Sequence, residues 1–266
     1  MNTLDGKVAV VTGGTGGIGR GVAVELAARG ATVVINGRNP QKADAVLTEI
    51  RAAGATADFL AGDVLSKADM DDVLGETARR HGGVDIVIAN AGGNDDEARS
   101  PEVRGPFADI DLARVTTFVG QAVAAKLLVV QSAVPYLRER GGGSVVFVTS
   151  EGGRTPTPGQ TAISTFSGGL IQTSKLLSKE LARDGIRVNA VCVTVVRDSP
   201  SWTAAFERED GVSQHHRRQY EKIVERAPFG VAAPQDIGNV VAFLASEDAR
   251  YLTGTIVSPT GGLTLH

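Results

Sequence analysis

Lys7-Val8-Ala9-Val10-Val11-Thr12-Gly13-Gly14-Thr15-Gly16-Gly17-Ile18-Gly19-Arg20 runs from β-favouring residues into a glycine-rich turn. Val22 to Arg29 then has helical character and stops at Gly30. Strand, glycine turn and helix in that order form a dinucleotide-binding start. Glycine permits positive φ and close backbone approach. The helix N-terminus offers free N–H groups and the positive end of its dipole to a pyrophosphate. Two fingerprints overlap here. Gly14-x-Gly16-x-x-Gly19 is the general one, and Thr12-Gly13-x-x-x-Gly17-Ile18-Gly19 is narrower.

The rest of the chain repeats the alternation. Ala31 to Asn36 reads as a second strand, and Lys42 to Ala53 as a helix behind Pro40. Thr56 to Leu60 is a third strand, followed by Gly62-Asp63-Val64 and a helix capped by Ser66 and running to Arg80. Val84 to Ile88 enters Ala89-Asn90-Ala91-Gly92-Gly93. Asn94 to Phe107 is polar and reads as a loop. Long helices are predicted over about Val115 to Arg138 and Thr161 to Arg183. Strands are predicted at Ser144 to Ser150, Ile186 to Val191 and Gly254 to Ser258, and a helix over Pro234 to Ala245. Residues 195–228 are polar and mixed, with Trp202 and Phe206 the few large apolar groups, and read as a lid of short helices. The pattern predicts one α/β domain over residues 1–266, a doubly wound parallel sheet flanked by helices.

Bulk properties exclude several classes. The 266 residues carry a net charge of −3, 42% hydrophobic and 21% charged residues, so no nucleic-acid partner is indicated. No stretch of eighteen consecutive apolar residues exists, so no membrane partner is expected. Cys192 is the single cysteine, which excludes an internal disulfide and a thiolate metal cluster. The histidines show no metal-ligand spacing, and a cytoplasmic location is expected.

These motifs resemble the short-chain dehydrogenase/reductase (SDR) family along nearly the whole chain. Beside the glycine loop stand Asp63-Val64, Asn90-Ala91-Gly92, Ile186-Arg187-Val188-Asn189-Ala190-Val191, Phe243-Leu244-Ala245-Ser246 and Leu252-Thr253-Gly254. The resemblance implies a Rossmann-type fold and nucleotide binding by Gly13, Thr15, Gly17, Ile18, Gly19, Asp63, Val64, Asn90, Ala91 and Gly92. Asp63 would meet the adenine ring, and Asn90 would support the ribose and the central strand. An acid after the second strand would select NAD(H). Gly37-Arg38 stands there, and a guanidinium can clamp a 2′-phosphate, so NADP(H) is favoured over NAD(H). The family's frequent second basic residue in the loop is Gly16 here.

The resemblance also places a catalytic tyrosine at Ile163, a lysine at Ser167, an asparagine at Ala122 and a serine at Ser150. Only the serine matches. No tyrosine lies between Ser150 and Asn189, and Lys175 is ~18 Å along a helix from Ile163. Ser167-Gly168-Gly169 would leave room where the lysine stem lies in the family. Further departures are Val193-Thr194, Asp198 and Thr260-Gly261-Gly262, all towards the nicotinamide end. Ser150 remains a candidate donor to a carbonyl. Arg154 and Gln160 could reach a ligand, or be solvated. Asp198 could act as an acid, or pair with Arg197 in solvent. Lys126 projects on the side of Ala122 and could bring in a cation; the simpler reading is a surface lysine. His215 and His216 could close over a substrate, Asp95 and Asp96 could line the mouth, and Trp202 with Phe206 would pack the lid. Three functions stay open: an NADP(H)-dependent reductase of a small carbonyl or imine, a non-redox enzyme on the same scaffold, and a non-catalytic partner subunit. Apolar residues in Ala122 to Leu137 and Leu170 to Leu181 suit a homo-oligomer, tetramer or dimer.

Overall fold

Seven strands join in one parallel sheet in a computed structural model, which describes residues 3–92, 96–208, 210 and 212–265. The strands are β1 (Val8–Thr12), β2 (Thr32–Gly37), β3 (Ala57–Ala61), β4 (Ile86–Ala89), β5 (Gly143–Ser150), β6 (Ile186–Val193) and β7 (Ile256–Val257), in the order β3-β2-β1-β4-β5-β6-β7. Every neighbouring pair is parallel. The order reverses between β1 and β4, and parallel sheets open a ligand crevice at the carboxyl ends of their strands there.

The helices are α1 (Gly17–Ala28), α2 (Pro40–Ala52), α3 (Lys67–His81), α4 (Leu112–Glu139), α5 (Thr161–Glu180), α6 (Pro200–Phe206), α7 (Gln214–Arg226) and α8 (Pro234–Ala245). Alternate strand residues serve two cores. Val11, Ile35, Ile88 and Val146 meet Leu26 of α1, Ile50 of α2 and Val241 of α8. Val10, Val34, Val87 and Phe147 meet Leu74 of α3, Val129 of α4 and Leu170 of α5. Burial on both faces explains why the strands read as continuous apolar runs. Among the described residues α4 is the one helix long and apolar enough to cross a membrane. Its Ala125, Val129, Ala133 and Leu137 are instead buried beneath the sheet.

The expected elements form, with shifted ends. Ser66 caps α3, its Oγ accepting from Asp69 N at 3.2 Å, and α8 has the predicted bounds. β4 starts at Ile86 rather than Val84, because the Asp85 carboxylate takes the Val8 N–H at 2.9 Å. β7 shrinks to two residues, since the Thr255 N–H donates to Asn189 Oδ1 at 3.0 Å. α4 starts earlier than predicted, at Leu112, because Asp111 Oδ1 accepts from Ala113 N and Arg114 N.

The segment 94–107 departs from the expected polar loop. Its described part holds a 3-10 turn at Glu97–Arg99 and buries Arg99, Ser100, Val103 and Arg104. The lid is the cause. Ser213, just before α7, donates from N to Arg99 O at 3.0 Å and from Oγ to Arg104 O at 2.7 Å. The lid itself packs as its aromatic content predicts, with Trp202 4.4 Å from Phe206 and Phe206 6.4 Å from Tyr220 between ring centroids.

Candidate functional site

A cleft of about 900 Å³ opens along the carboxyl ends of the strands, from β2 across to the lid. Its floor at the switch point is built from backbone. Gly13 adopts φ 65° and Gly17 φ 50°, a region that favours glycine. A Cβ on Gly19 would lie 2.1 Å from Gly13 O, so the turn can close only without one. Thr12 Oγ1 accepts from Asn90 N at 3.1 Å and Ala91 N at 3.2 Å. Asn90 Nδ2 donates to Thr12 O at 3.1 Å. The β1 turn and the end of β4 are thereby locked together.

The predicted nucleotide residues come together on this wall. Gly13, Thr15, Ile18, Gly19, Arg38, Asp63, Val64, Asn90, Ala91 and Gly92 all border the cleft. Gly17 does not border it; its backbone abuts Ser199 and Pro200 at the start of α6. Arg38 is exposed at the rim, and Lys42 of α2 stands there too. Lys42 was missed in the sequence, although its place in the first turn of α2 is the available signal. Asp63 Oδ1 accepts from Leu65 N at 3.0 Å, which fixes the carboxylate at the cleft wall.

At the other end stand Ser150, Ile163 and Phe166. Ser150 Oγ accepts the Gly152 N–H at 3.2 Å. A hydroxyl that accepts retains its own proton for donation. Ser167 and Ala122 are buried and do not border the cleft. Ala122 packs with Phe118 and Ala162 in a small apolar cluster. The expected room beside Ser167-Gly168-Gly169 is filled. The turn at Glu151–Gly153 lies against it so closely that a Cβ on Gly153 would meet Gly168 N at 2.7 Å.

Several candidates need correction. Lys126 is no surface lysine. It is 3% exposed and enters the cleft wall, where its ammonium donates to the carbonyls of Ala89 (3.3 Å), Asn90 (2.9 Å) and Ala91 (3.2 Å). It was the single charge in a long apolar stretch of α4, and that isolation is the signal. Arg154 is half-buried and does not border the cleft; it ties β7 down through Ile256 O (3.3 Å) and Ser258 Oγ (2.9 Å). Arg197 and Asp198 are exposed and off the cleft, and no ion pair joins them among the described residues. Asp198 has φ 56°, a strained value for a residue with a side chain. Asp95 lies outside the described residues, and Asp96 is exposed beside Arg208 at 2.8 Å.

The histidines divide. His215 borders the cleft with Nε2 2.7 Å from Pro158 O. His216 is fully buried, with Nε2 3.2 Å from Ser201 O, so Nε2 carries the proton and Nδ1 lacks a partner. Burial, then the charge of Arg104, pushes its pKa down to about 3, and it is neutral in ordinary buffers. Arg99, Arg104, Gln219 and Tyr220 also border the cleft. Sequence reasoning gave them no role; Tyr220 was placed only in the lid.

The comparisons agree with this architecture. A family model described as enoyl-(acyl carrier protein) reductase matches residues 13–264. Dehydrogenase/reductase SDR family member 4 of Bos taurus is 32% identical, over 100% of this chain and 90% of that protein. The 3-oxoacyl-(acyl-carrier-protein) reductase of Aquifex aeolicus is 32% identical over 98% of each. A solved 7α-hydroxysteroid dehydrogenase, complexed with NADH and 7-oxo glycochenodeoxycholic acid, superposes with a TM-score of 0.84. It is 25% identical, with 98% of this chain and 96% of that one covered.

Proposed function

The chain belongs to the short-chain dehydrogenase/reductase family of oxidoreductases, and from that premise we propose that it transfers hydride between NADP(H) and a small carbonyl or imine-type substrate. One observation carries the nucleotide choice. Directly after β2 the wall offers Gly37, Arg38 and Lys42, while the acid at this end, Asp63, follows β3 and accepts from Leu65 N at 3.0 Å. Two cations can bind a 2′-phosphate, and the place directly after β2, where an acid would accept the ribose hydroxyls of NAD(H), holds Gly37. The glycine turn fits a pyrophosphate, because Gly16, just before α1, borders the cleft and a Cβ there would meet nothing within 4 Å, which leaves the helix N-terminus open.

When bound, the nicotinamide supplies the hydride. The chain's own residues position and polarise. Ser150 Oγ, held by Gly152 N, donates its proton towards the substrate oxygen or nitrogen. Lys126 fixes the carbonyls of residues 89–91 and places a buried positive charge in the cleft wall at the end of β4. Ile163 gives that end an apolar wall and no titratable group. The side chain at this position thus favours a substrate that is already activated, such as an iminium.

Titration of the purified protein with NADPH and NADH, followed by nucleotide fluorescence, tests the reading. NADPH is expected to bind more tightly. Arg38→Ala should weaken NADPH by about 10- to 100-fold, the worth of a charge-assisted contact, and leave NADH nearly unchanged. Equal affinity for the two nucleotides sinks the cofactor assignment. Ile163 also favours a second reading, a non-redox enzyme or a non-catalytic partner subunit, which predicts no NADPH oxidation with any carbonyl or imine. Half-exposed and exposed residues of α4 and α5, Leu176 among them, are the proposed surface of a homo-oligomer.

A further inference from the structure

Two guanidinium groups are buried in the cleft wall, and neither nucleotide binding nor Ser150 uses them. Arg99 is 4% exposed and Arg104 is 7% exposed, and both follow β4. Arg104 Nη2 donates to Gln219 Oε1 at 3.0 Å, and its guanidinium lies 5.9 Å from the centre of the Tyr220 ring. Among the described residues no carboxylate stands within ion-pair distance of it. Arg99 Nη1 donates to Ser201 Oγ at 3.3 Å, and Nη2 reaches Asp96 at 3.2 Å. Asp96 is a poor counter-ion, being largely exposed and shared with Arg208 at 2.8 Å. The Nε atoms of both arginines are buried without a hydrogen-bond partner.

Such a pair is unstable in isolation. A buried N–H without an acceptor loses its hydration and gains nothing in return. The two positive charges oppose each other, and burial opposes the charge on Arg104 before that. The acids on the described cleft wall do not compensate. Asp63 lies at the adenine end. The Glu151 carboxylate accepts from Thr155 Oγ1 (3.0 Å), Ser258 Oγ (2.6 Å) and Thr264 Oγ1 (3.2 Å). Arg104 has no oxyanion within ion-pair distance among the described residues, and Arg99 has only the exposed carboxylate of Asp96.

The arginines are tied to the reacting end by a short relay. Gln219 Oε1, which accepts from Arg104, also accepts from Gln160 Nε2 at 2.9 Å. Gln160 packs beside Gly152, where a Cβ would lie 2.9 Å from Gln160 Oε1, 3.3 Å from Ile163 Cγ2 and 3.5 Å from Ser150 Oγ. We propose that Arg99 and Arg104 form an oxyanion subsite, and that the substrate positioned at Ser150 carries a carboxylate or phosphate group at its far end. This deepens the hydride-transfer reading and rests on it for the identity of the reacting end. The subsite itself stands on the arginines.

Trp202, the single tryptophan, neighbours Ser201 and reports on the subsite. Its fluorescence is followed while the protein is titrated with 4-oxopentanoate and its methyl ester, and with dihydroxyacetone phosphate and dihydroxyacetone. The titrations are run with and without saturating NADP⁺. The charged member of one pair is expected to bind at least about tenfold more tightly than its neutral form, the worth of a charge-assisted contact. Which pair discriminates tells carboxylate from phosphate. Arg104→Gln should bring the ratio to near one and Arg99→Gln should lower it. Arg104→Lys, which keeps the charge without the fork, should retain part of it and covers the case in which Arg104→Gln does not fold. Equal binding of charged and neutral forms, or no binding of either anion, overturns the subsite. NADPH binding is scored separately. If it persists without anion discrimination, the subsite alone fails. If anions discriminate but NADPH does not bind, the hydride-transfer reading alone fails.

Discussion

Replacing Lys126 with methionine tests the buried cation directly. The ammonium donates to three carbonyls, at 3.3, 2.9 and 3.2 Å. Methionine keeps the stem's volume and leaves those acceptors facing an apolar side chain. Each buried acceptor left unsatisfied costs about 1–3 kcal/mol. Asn90 and Ala91 border an open cleft, so water can rehydrate their carbonyls, while Ala89 is fully buried. Relief from burying the ammonium offsets a further part. A net loss of about 2–4 kcal/mol follows. In a chain of this size about 1 kcal/mol corresponds to 2–4 °C, so Tm should fall by roughly 5–10 °C, read by calorimetry. Residues 90 and 91 are also on the nucleotide wall, so NADPH affinity should fall about tenfold, and Lys126→Arg should restore part of it. A Tm within about 1 °C of wild type, together with unchanged NADPH binding, would refute the reasoning. The three hydrogen bonds would then give the strand ends no net stabilisation.

Other expectations follow from single positions. Gly16 has extended backbone (φ −178°), and a Cβ there would meet nothing within 4 Å. Gly16→Arg should therefore fold normally and raise the preference for NADPH over NADH by about 5- to 10-fold, measured by fluorescence titration. Gly21 is different: its Cβ would sit 2.4 Å from the Pro234 carbonyl, where α1 and α8 cross. Gly21→Ala should destabilise the fold by about 3 kcal/mol in urea titration, because backbone cannot yield as a side chain can. His216 stays neutral in the fold down to about pH 3, while in the unfolded chain it takes a proton near its ordinary value of 6.5. Its contribution is therefore fully present above pH 6.5 and is lost as pH falls towards 3. Comparing His216→Phe with wild type over this range should show the wild type losing up to about 1.4 kcal/mol more per pH unit; parallel profiles would contradict it.

What the sequence revealed and what it hid divide along a physical line. The β1 turn was legible because its requirements are those of backbone: φ 65° at Gly13 and the contact of Gly19 with Gly13 O admit one residue type. The strands were legible because both faces are buried, and Ser66 and Pro234 announced their helices by local chemistry. Arg99 and Arg104 were hidden because their burial comes from the lid, more than a hundred residues later in sequence, through Ser213. A polar segment with proline and glycine reads as solvated whenever the element that covers it is distant. Lys126 lay between. Its spacing from Ala122 placed it on the right side of α4, but periodicity alone does not say whether the ammonium turns to water or to the strand ends. Arg154 misled for the same reason in reverse, since only the folded sheet brings Ile256 and Ser258 to it.

The two ends of the cleft set different demands on chemistry. At the adenine end the glycine loop, Asp63 and the rim cations can hold a nucleotide without any group changing its protonation. At the reacting end, the positions nearest Gly152 hold groups that position rather than exchange protons. Ser150 is an alcohol, Gln160 and Gln219 are amides that relay orientation but no net proton, and Ile163 is inert. His216 is buried and holds its one proton against Ser201 O. On the proposed reading, the arginines then act as anchors. They fix the far end of an anionic substrate, and the lid that carries Gln219 and Tyr220 closes on it. Binding energy gathered at that end holds the reacting atom against Ser150 and the nicotinamide site. A substrate that accepts hydride without needing a strong acid is the one such an arrangement serves best, because positioning is what the site supplies.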